Sequence, residues 1–163
     1  MGYVVAVQVF LIRHAHAMDE TLLVGDAHRP LSAQGRIQAK RLGEKLRWYD
    51  CGITHVWSSP LVRAVQTAEL VVAGFDEDTA LEIVPALAPD GSVRTAIASL
   101  RLLPPDASVM MVGHEPSMSS IGALLLGTAG DFSALGKAEA ARIVDGKLRW
   151  RFAWDADAPV PVV

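Results

Sequence analysis

The sequence predicts an α/β protein, a three-layer α/β/α sandwich with a mostly parallel central sheet. Short apolar segments alternate with segments whose apolar residues recur every three or four positions, as strands alternate with amphipathic helices in such folds. The C-terminal part differs. There the turn signal Asp145-Gly146 precedes apolar residues at alternate positions from Leu148 to Trp154, which predicts an antiparallel hairpin.

Four strands are predicted before the hairpin. Residues 3–12 are apolar except for Gln8, which is typical of a strand covered on both faces. Three shorter apolar segments predict the other strands, at 53–58, 80–84 and 108–113. The spacing between these segments leaves room for one helix after each strand.

The predicted helices begin at residues that favour a helix start: Ser32, Ser59-Pro60, Ser92 and Pro116. The last of them should stop at Gly127. The positions expected to face the core are Ala39, Leu42, Leu46 and Tyr49 in the first helix, Leu61, Ala64, Val65, Ala68 and Val72 in the second, Val93, Ala96, Ile97 and Leu100 in the third, and Ile121, Leu124 and Leu125 in the fourth.

Composition bounds the class of protein. A chain of 163 residues, 51% hydrophobic and 20% charged, is expected to form one globular domain, residues 1–154, followed by a loosely held tail at 155–163. The net charge of −3 argues against a surface built to bind nucleic acid. The single cysteine, Cys51, cannot form an internal disulfide, and no segment predicts a membrane span, so we expect a cytoplasmic protein without a membrane partner.

The residues directly after the predicted strands are chemically distinctive. They are Arg13, His14, Ala15 and His16 after the first strand, Ser58, Ser59 and Arg63 after the second, Pro89 and Asp90 after the third, and His114 and Glu115 after the fourth. In open α/β sheets, ligands bind beyond the carboxyl ends of the strands. Two arginines and two histidines are therefore expected to meet at one edge of the sheet.

This set of side chains suits a phosphate group. The guanidinium groups of Arg13 and Arg63 match phosphate oxygens, and a neutral imidazole such as His14 can attack phosphorus. The competing interpretation is that the arginines are solvated and that His14 and His114 are ordinary core histidines. Because all four residues follow strands of one predicted sheet, we favour a functional site.

Four ordered segments resemble a known family. They are VFLIRHAHA, RPLSAQGRIQAKRL, VWSSPLVRAVQTAEL and VMMVGHEPSM, and together they span most of the chain. They are similar to the histidine phosphatase (phosphoglycerate-mutase-like) superfamily, and within it to the short SixA-type phosphohistidine phosphatases. The resemblance implies that His14 is phosphorylated as a nucleophile and that Arg13, Arg63 and His114 hold the phosphoryl group, with Arg29 as an accessory contact.

The same resemblance implies that neither a metal nor another cofactor is needed. The implied substrate is a phosphorylated protein, carrying phosphohistidine, or a small phosphate ester. The sequence departs from the wider family in two places: Ala15 stands where glycine is usual, and the segment after the third strand lacks the glutamate that protonates the leaving group. SixA-type members share that lack. Asp90 is a weak substitute for the acid, and His16 is expected at the rim of the site.

Two other functions stay open at this point. A metallohydrolase would use His14 and His16, which share one face of an extended segment, with an acidic residue such as Asp26 or Asp90. A non-catalytic phosphate-binding regulatory domain would keep the fold without turnover, as the missing acid and Ala15 would permit.

Overall fold

The computed structural model describes residues 7–49, 52–75, 78–127 and 132–162. Within these ranges the strands are β1 Gln8–Arg13, β2 His55–Ser58, β3 Leu81–Ile83, β4 Ser108–Gly113, β5 Glu139–Val144, β6 Lys147–Ala153 and β7 Val160–Pro161. The helices are α1 Ala33–Arg47, α2 Val62–Phe75, α3 Val93–Leu100 and α4 Ser117–Leu125, and short 3₁₀ turns occur at Asp26–His28 and Pro85–Leu87. The predicted first strand began at residue 3, and its part at 3–6 lies outside the described residues.

The described strands form one sheet in the order β3-β2-β4-β1-β5-β6-β7. The pairs β2–β3, β2–β4 and β1–β4 are parallel, whereas β1–β5, β5–β6 and β6–β7 are antiparallel. The prediction of a mostly parallel sheet with a C-terminal antiparallel hairpin is therefore confirmed. The hairpin turn has positive φ at both Asp145 and Gly146, as its sequence predicts.

The core lies on both faces of the sheet. Phe10 and Ile12 of β1 pack with buried residues of α1 and α2, and Val9 and Leu11 point the other way, toward α3 and α4. This alternation is the consequence of the two-residue period of a strand. It accounts for the continuous apolar run from Val9 to Ile12 in β1 and confirms the three-layer sandwich.

Two of the four predicted helix starts are capped as expected. The hydroxyl oxygens of Ser32 and Ser92 accept hydrogen bonds from the backbone N–H groups of Gly35 and Thr95. The second helix begins at Val62, so the prediction that Ser59-Pro60 opens it is wrong. The backbone N–H of Ser59 instead donates to the carbonyl of Val112, which keeps this residue bound to the edge of the sheet.

Some predicted core positions are also wrong. Tyr49 and Leu124 are exposed and Val65 is only partly buried, whereas the partly buried Val72 packs against the core. In α2 the predicted Ala64 and Ala68 are buried, and the buried face also includes Arg63, Thr67 and Val71. Two of these additional inner residues are polar, so an apolar pattern alone could not show the whole face.

The C-terminal segment is more ordered than expected for a loosely held tail. Val160 and Pro161 pair with β6, and the N–H of Val162 donates to the carbonyl of Arg149. The side chain of Lys45 also donates to the carbonyl of Ala156. Backbone pairing of this kind does not depend on side-chain pattern, which is why the sequence did not indicate it.

None of the helices in the described ranges is long and apolar enough to cross a bilayer.

Close packing of α1 on α2 generates a stability prediction. A Cβ atom added at Gly43 would lie 2.3 Å from the carbonyl oxygen of Val71, so the two helix backbones would have to separate. We expect Gly43→Ala to lower the free energy of unfolding by about 1–3 kcal/mol, despite the better helix propensity of alanine. Urea unfolding tests this. Gly52→Ala, where nothing lies within 4 Å, is the matched control, and equal stability of both variants and the wild type would contradict the prediction.

Candidate active site

His14 lies directly after β1, and its side chain is only 8% exposed. Its backbone N–H donates to the carbonyl of Gly113 at 3.0 Å, which continues the pairing of β1 with β4. The ring atom Nδ1 lies 2.7 Å from the carbonyl oxygen of Ala15. A carbonyl oxygen can only accept, so Nδ1 carries the proton and Nε2 is the unprotonated nitrogen.

His114 lies at the corresponding position after β4. Arg13 at the end of β1 is paired with Gly113 at the end of β4, so the next residue of each strand stands at the same level. The two rings are 5.1 Å apart between centroids and inclined by 57°. The Nε2 atom of His114 is 2.8 Å from the hydroxyl oxygen of Ser59. Its Nδ1 is buried without a hydrogen-bond partner among the described residues.

Both predicted arginines reach this edge of the sheet. Arg63, on the first turn of α2, is 5% exposed and donates to the backbone carbonyl of Asp26 at 2.8 Å and to its carboxylate at 3.3 Å. Arg13 donates to the carbonyl of Leu135 at 3.0 Å. The Nε atoms of both guanidinium groups are buried without a partner in the described part of the chain.

Burial keeps both histidines neutral. The pKa of His14 is lowered from 6.5 to about 3, mainly by desolvation; the hydrogen bond to Ala15 acts in the opposite direction, and the nearby His114, Arg63 and Arg13 add to the lowering. Desolvation also lowers the pKa of His114 to about 4, with contributions from the same two arginines. Since Arg13 and Arg63 act on both rings, the four side chains predicted to converge lie in one site.

Arg29 joins the site through Asp26. Its guanidinium lies 2.9 Å from the Asp26 carboxylate, and it also donates to the carbonyl of Met18. Hydrogen bonding from Arg29 lowers the pKa of Asp26, and the charge of Arg63 adds to this effect. The ionised carboxylate of Asp26 therefore links Arg29 and Arg63, two of the residues predicted to contact phosphate. The sequence did not suggest this role for Asp26.

The remaining candidates lie outside this cluster. The Nδ1 atom of His16 is 2.7 Å from the Ser32 hydroxyl, and the partly buried ring lies beside the start of α1. Asp90 is exposed in the turn that follows Pro85–Leu87, and it is not among the charges that shift the pKa of His14 or His114. Over the described ranges, no three His, Cys, Asp or Glu side chains are placed to hold a metal ion.

Two hydroxyl residues also contact the site, and one of them, Thr67, was not among the predicted residues. Ser59 contacts His114, and Thr67 accepts from the N–H of Ala15 at 3.1 Å while donating to the carbonyl of Arg63 at 2.7 Å. A signal for Thr67 was present, because it lies four residues after Arg63 and so on the same face of the helix. Ser59 is among the residues predicted at a strand end, but its prediction as a helix cap does not indicate the contact with His114.

The alanine in place of the family's usual glycine fits its position. Positive φ among the described non-glycine residues occurs at Ala138 and Asp145, so Ala15 adopts a backbone conformation open to any residue. Its methyl group is buried in the core. This departure from the family pattern therefore requires no distortion of the loop that carries His14.

Comparison with known proteins identifies the family of this chain. The model of the histidine phosphatase superfamily (branch 1) matches residues 9–88. Phosphohistidine phosphatase SixA of Escherichia coli (strain K12) is 32% identical over 111 residues, 67% of this chain and 68% of that protein. An uncharacterised protein of Picosynechococcus sp. is 30% identical over 145 residues, 87% of each chain. The structure of the protein histidine phosphatase SixA complexed with tungstate matches with a TM-score of 0.82 and 27% identity, covering 90% of this chain and 97% of that one.

The chain therefore belongs to the histidine phosphatase superfamily, as its four sequence motifs indicated. Both the fold and the family support a hydrolase of the phosphatase class.

Neutral burial of the two histidines predicts how stability depends on pH. In the unfolded chain the rings bind protons near pH 6.5, whereas in the folded protein they do so only near pH 3 and 4. Between these values the unfolded chain binds more protons than the folded protein. The free energy of unfolding is therefore highest above pH 6.5 and decreases as the pH falls, by up to about 1.4 kcal/mol per pH unit for each ring. His14→Asn and His114→Asn should each reduce this slope in urea unfolding measured across that range. Equal slopes in wild type and variants would contradict neutral burial.

Proposed function

We propose that this protein hydrolyses a phosphoryl group through a covalent phosphohistidine on His14. The observation that carries the proposal is the state of the His14 ring. It is buried and neutral, and the Ala15 carbonyl holds the proton on Nδ1, so the lone pair of Nε2 is available for attack.

The reaction follows in two balanced steps. The Nε2 atom of His14 attacks phosphorus while the bond to the substrate breaks, and the leaving group takes its electron pair and a proton from solvent. Water then attacks the phosphohistidine, the phosphorus–Nε2 bond breaks, and inorganic phosphate and a proton are released. Arg13, Arg63 and His114 would stabilise the charge on the transferring oxygens. No step of this scheme requires a metal or another cofactor.

The leaving group is inferred to be an imidazole. Asp90, the acid considered after the third strand, is exposed in a turn and does not act on either histidine. A phosphoramidate such as phosphohistidine is a high-energy compound, so it tolerates the absence of a strong general acid better than an alkyl phosphate does. The similarity to phosphohistidine phosphatase SixA supports the same substrate class.

The rim of the site favours a substrate carried on a protein. The loop between Ala17 and Leu31 holds Asp26 and Arg29 at the site, and it also presents Met18, Leu22 and Leu23 to solvent. Leu23 is 97% exposed. Apolar side chains exposed beside a polar site are typical of surfaces that contact another protein, and a small phosphate ester would gain little from them.

Trapping the intermediate tests the covalent step. Brief incubation with a radiolabelled phosphohistidine-bearing protein, followed by an alkaline quench, should leave phosphate on His14, because phosphohistidine survives base. His14→Ala should abolish the label. His114→Ala should slow its formation about 10- to 1000-fold, since it removes one stabilising contact to the transferring group.

His16→Ala, which alters a neighbouring histidine outside the cluster, is the matched control and should keep the label. Persistence of the label in His14→Ala, or its mapping to His114 or His16, would overturn the assignment of the nucleophile. Loss of activity on chelation with recovery on added zinc would favour the metallohydrolase instead, and absence of turnover on every phosphate tested would favour a regulatory domain.

The rim generates a separate prediction. The double variant Leu22→Ser and Leu23→Ser should lower kcat/KM for a phosphohistidine-bearing protein about 10-fold, because two apolar contacts are lost. Turnover of the small compound phosphoramidate should stay within about 2-fold. Leu102→Ser alters a leucine that is 87% exposed in the loop before β4, at the opposite end of the sheet, and serves as the control. A parallel loss on both substrates would argue against protein docking at the rim.

A further inference from the structure

Ser59 stands out among the residues that contact the site. Its side chain is fully buried, and its hydroxyl oxygen lies 2.8 Å from Nε2 of His114. The same oxygen accepts a hydrogen bond from the backbone N–H of Leu61 at 3.2 Å. These two contacts are enough to determine which ring nitrogen of His114 carries the proton.

The hydrogen-bond donors and acceptors around Ser59 decide which nitrogen of His114 is protonated. Leu61 already supplies a hydrogen to the Ser59 oxygen, so the hydroxyl hydrogen of Ser59 needs an acceptor of its own. Among the described residues that acceptor is Nε2 of His114. If Nε2 carried the proton instead, the buried hydroxyl hydrogen would have no partner, at a cost of about 1–3 kcal/mol.

The proton of the neutral ring then belongs on Nδ1. That atom is buried and has no hydrogen-bond partner in the described part of the protein. It lies on a ring whose centroid is 5.1 Å from the ring of His14, and so beside the nucleophile. An N–H group in this place has no acceptor among the described residues, so it is free to donate to a phosphoryl group bound beside His14.

We propose that Ser59 is a positioning residue that holds His114 in the Nδ1–H tautomer, so that His114 acts on the phosphoryl group as a neutral hydrogen-bond donor. The tautomer is a property of the free protein, and its effect on turnover rests on the proposed function. The positive charge at the site is supplied by Arg13 and Arg63, and their presence beside the ring opposes a further cation there.

Nitrogen-15 NMR of histidine-labelled protein at neutral pH tests the tautomer directly. In the wild type the His114 signals should show a protonated Nδ1 and an unprotonated Nε2. Ser59→Ala removes the donor to Nε2, so its spectrum should show a mixture of tautomers. The value of kcat on a phosphohistidine-bearing protein should fall about 10-fold, with a smaller change in KM.

Two variants control for a purely structural effect. Ser58 is equally buried, but its hydroxyl donates to the carbonyl of Ser59 and does not contact His114, so Ser58→Ala should keep the wild-type tautomer. Ser59→Thr retains a hydroxyl and should restore both the tautomer and kcat.

A protonated Nε2 in the wild-type spectrum would overturn the proposal, and this reading stands even if the variants fail to fold. Unchanged tautomer and kcat in Ser59→Ala would also overturn it. Because the NMR measurement needs no substrate, it decides the role of Ser59 separately from the question of whether the protein is a phosphatase. Loss of trapping on His14 with the expected tautomer would reject the covalent mechanism and leave the positioning of His114 intact.

Discussion

The pairing of β1 with β4 is the constraint on which the site depends. The two strands are parallel, equal in length and in register from Gln8 with Ser108 to Arg13 with Gly113. The register brings the next residues, His14 and His114, to the same level at the edge of the sheet. A slip of one residue would turn the buried faces of β4 over and separate the rings. The apolar residues of both strands, which are covered on both faces by helices, oppose such a slip.

The same burial sets the electrostatics of the site. Removing His14 and His114 from water holds both rings neutral, while Arg63 stays charged although its side chain is almost fully buried. The half-exposed carboxylate of Asp26 compensates part of that charge and binds Arg29 as well. A buried cation with incomplete pairing destabilises the fold, and an anion that completes its hydrogen bonds offsets this cost. A chain with a net charge of −3 thereby keeps a local cluster of positive charge, which suits the phosphoryl substrate of the proposed function.

Both histidines have the proton on Nδ1, but they contact the protein through different ring nitrogens. In His14 the proton on Nδ1 is donated to the Ala15 carbonyl, so the lone pair of the neutral ring is on Nε2. In His114, with the tautomer proposed above, the lone pair of Nε2 accepts from Ser59 and Nδ1 carries an N–H without a protein acceptor among the described residues. Under the proposed function the first ring would attack phosphorus and the second would bind its oxygens. The difference arises from the protein atom that each ring contacts, a backbone carbonyl for the first and a hydroxyl for the second.

The sequence by itself predicted the fold class from apolar periodicity and the family from the resemblance of four segments. Residues at strand ends, which are local features of the chain, also indicated the four side chains that the structure brings to one edge of the sheet. The sequence did not determine the polar part of the inner face of α2, the order of the C-terminal segment, or the contacts made by Asp26 and Ser59. Those depend on contacts between residues far apart in the chain, such as Arg63 with Asp26 and Ser59 with His114. Such contacts exist only once the sheet register and the helix rotations are set, so tertiary packing alone decided them.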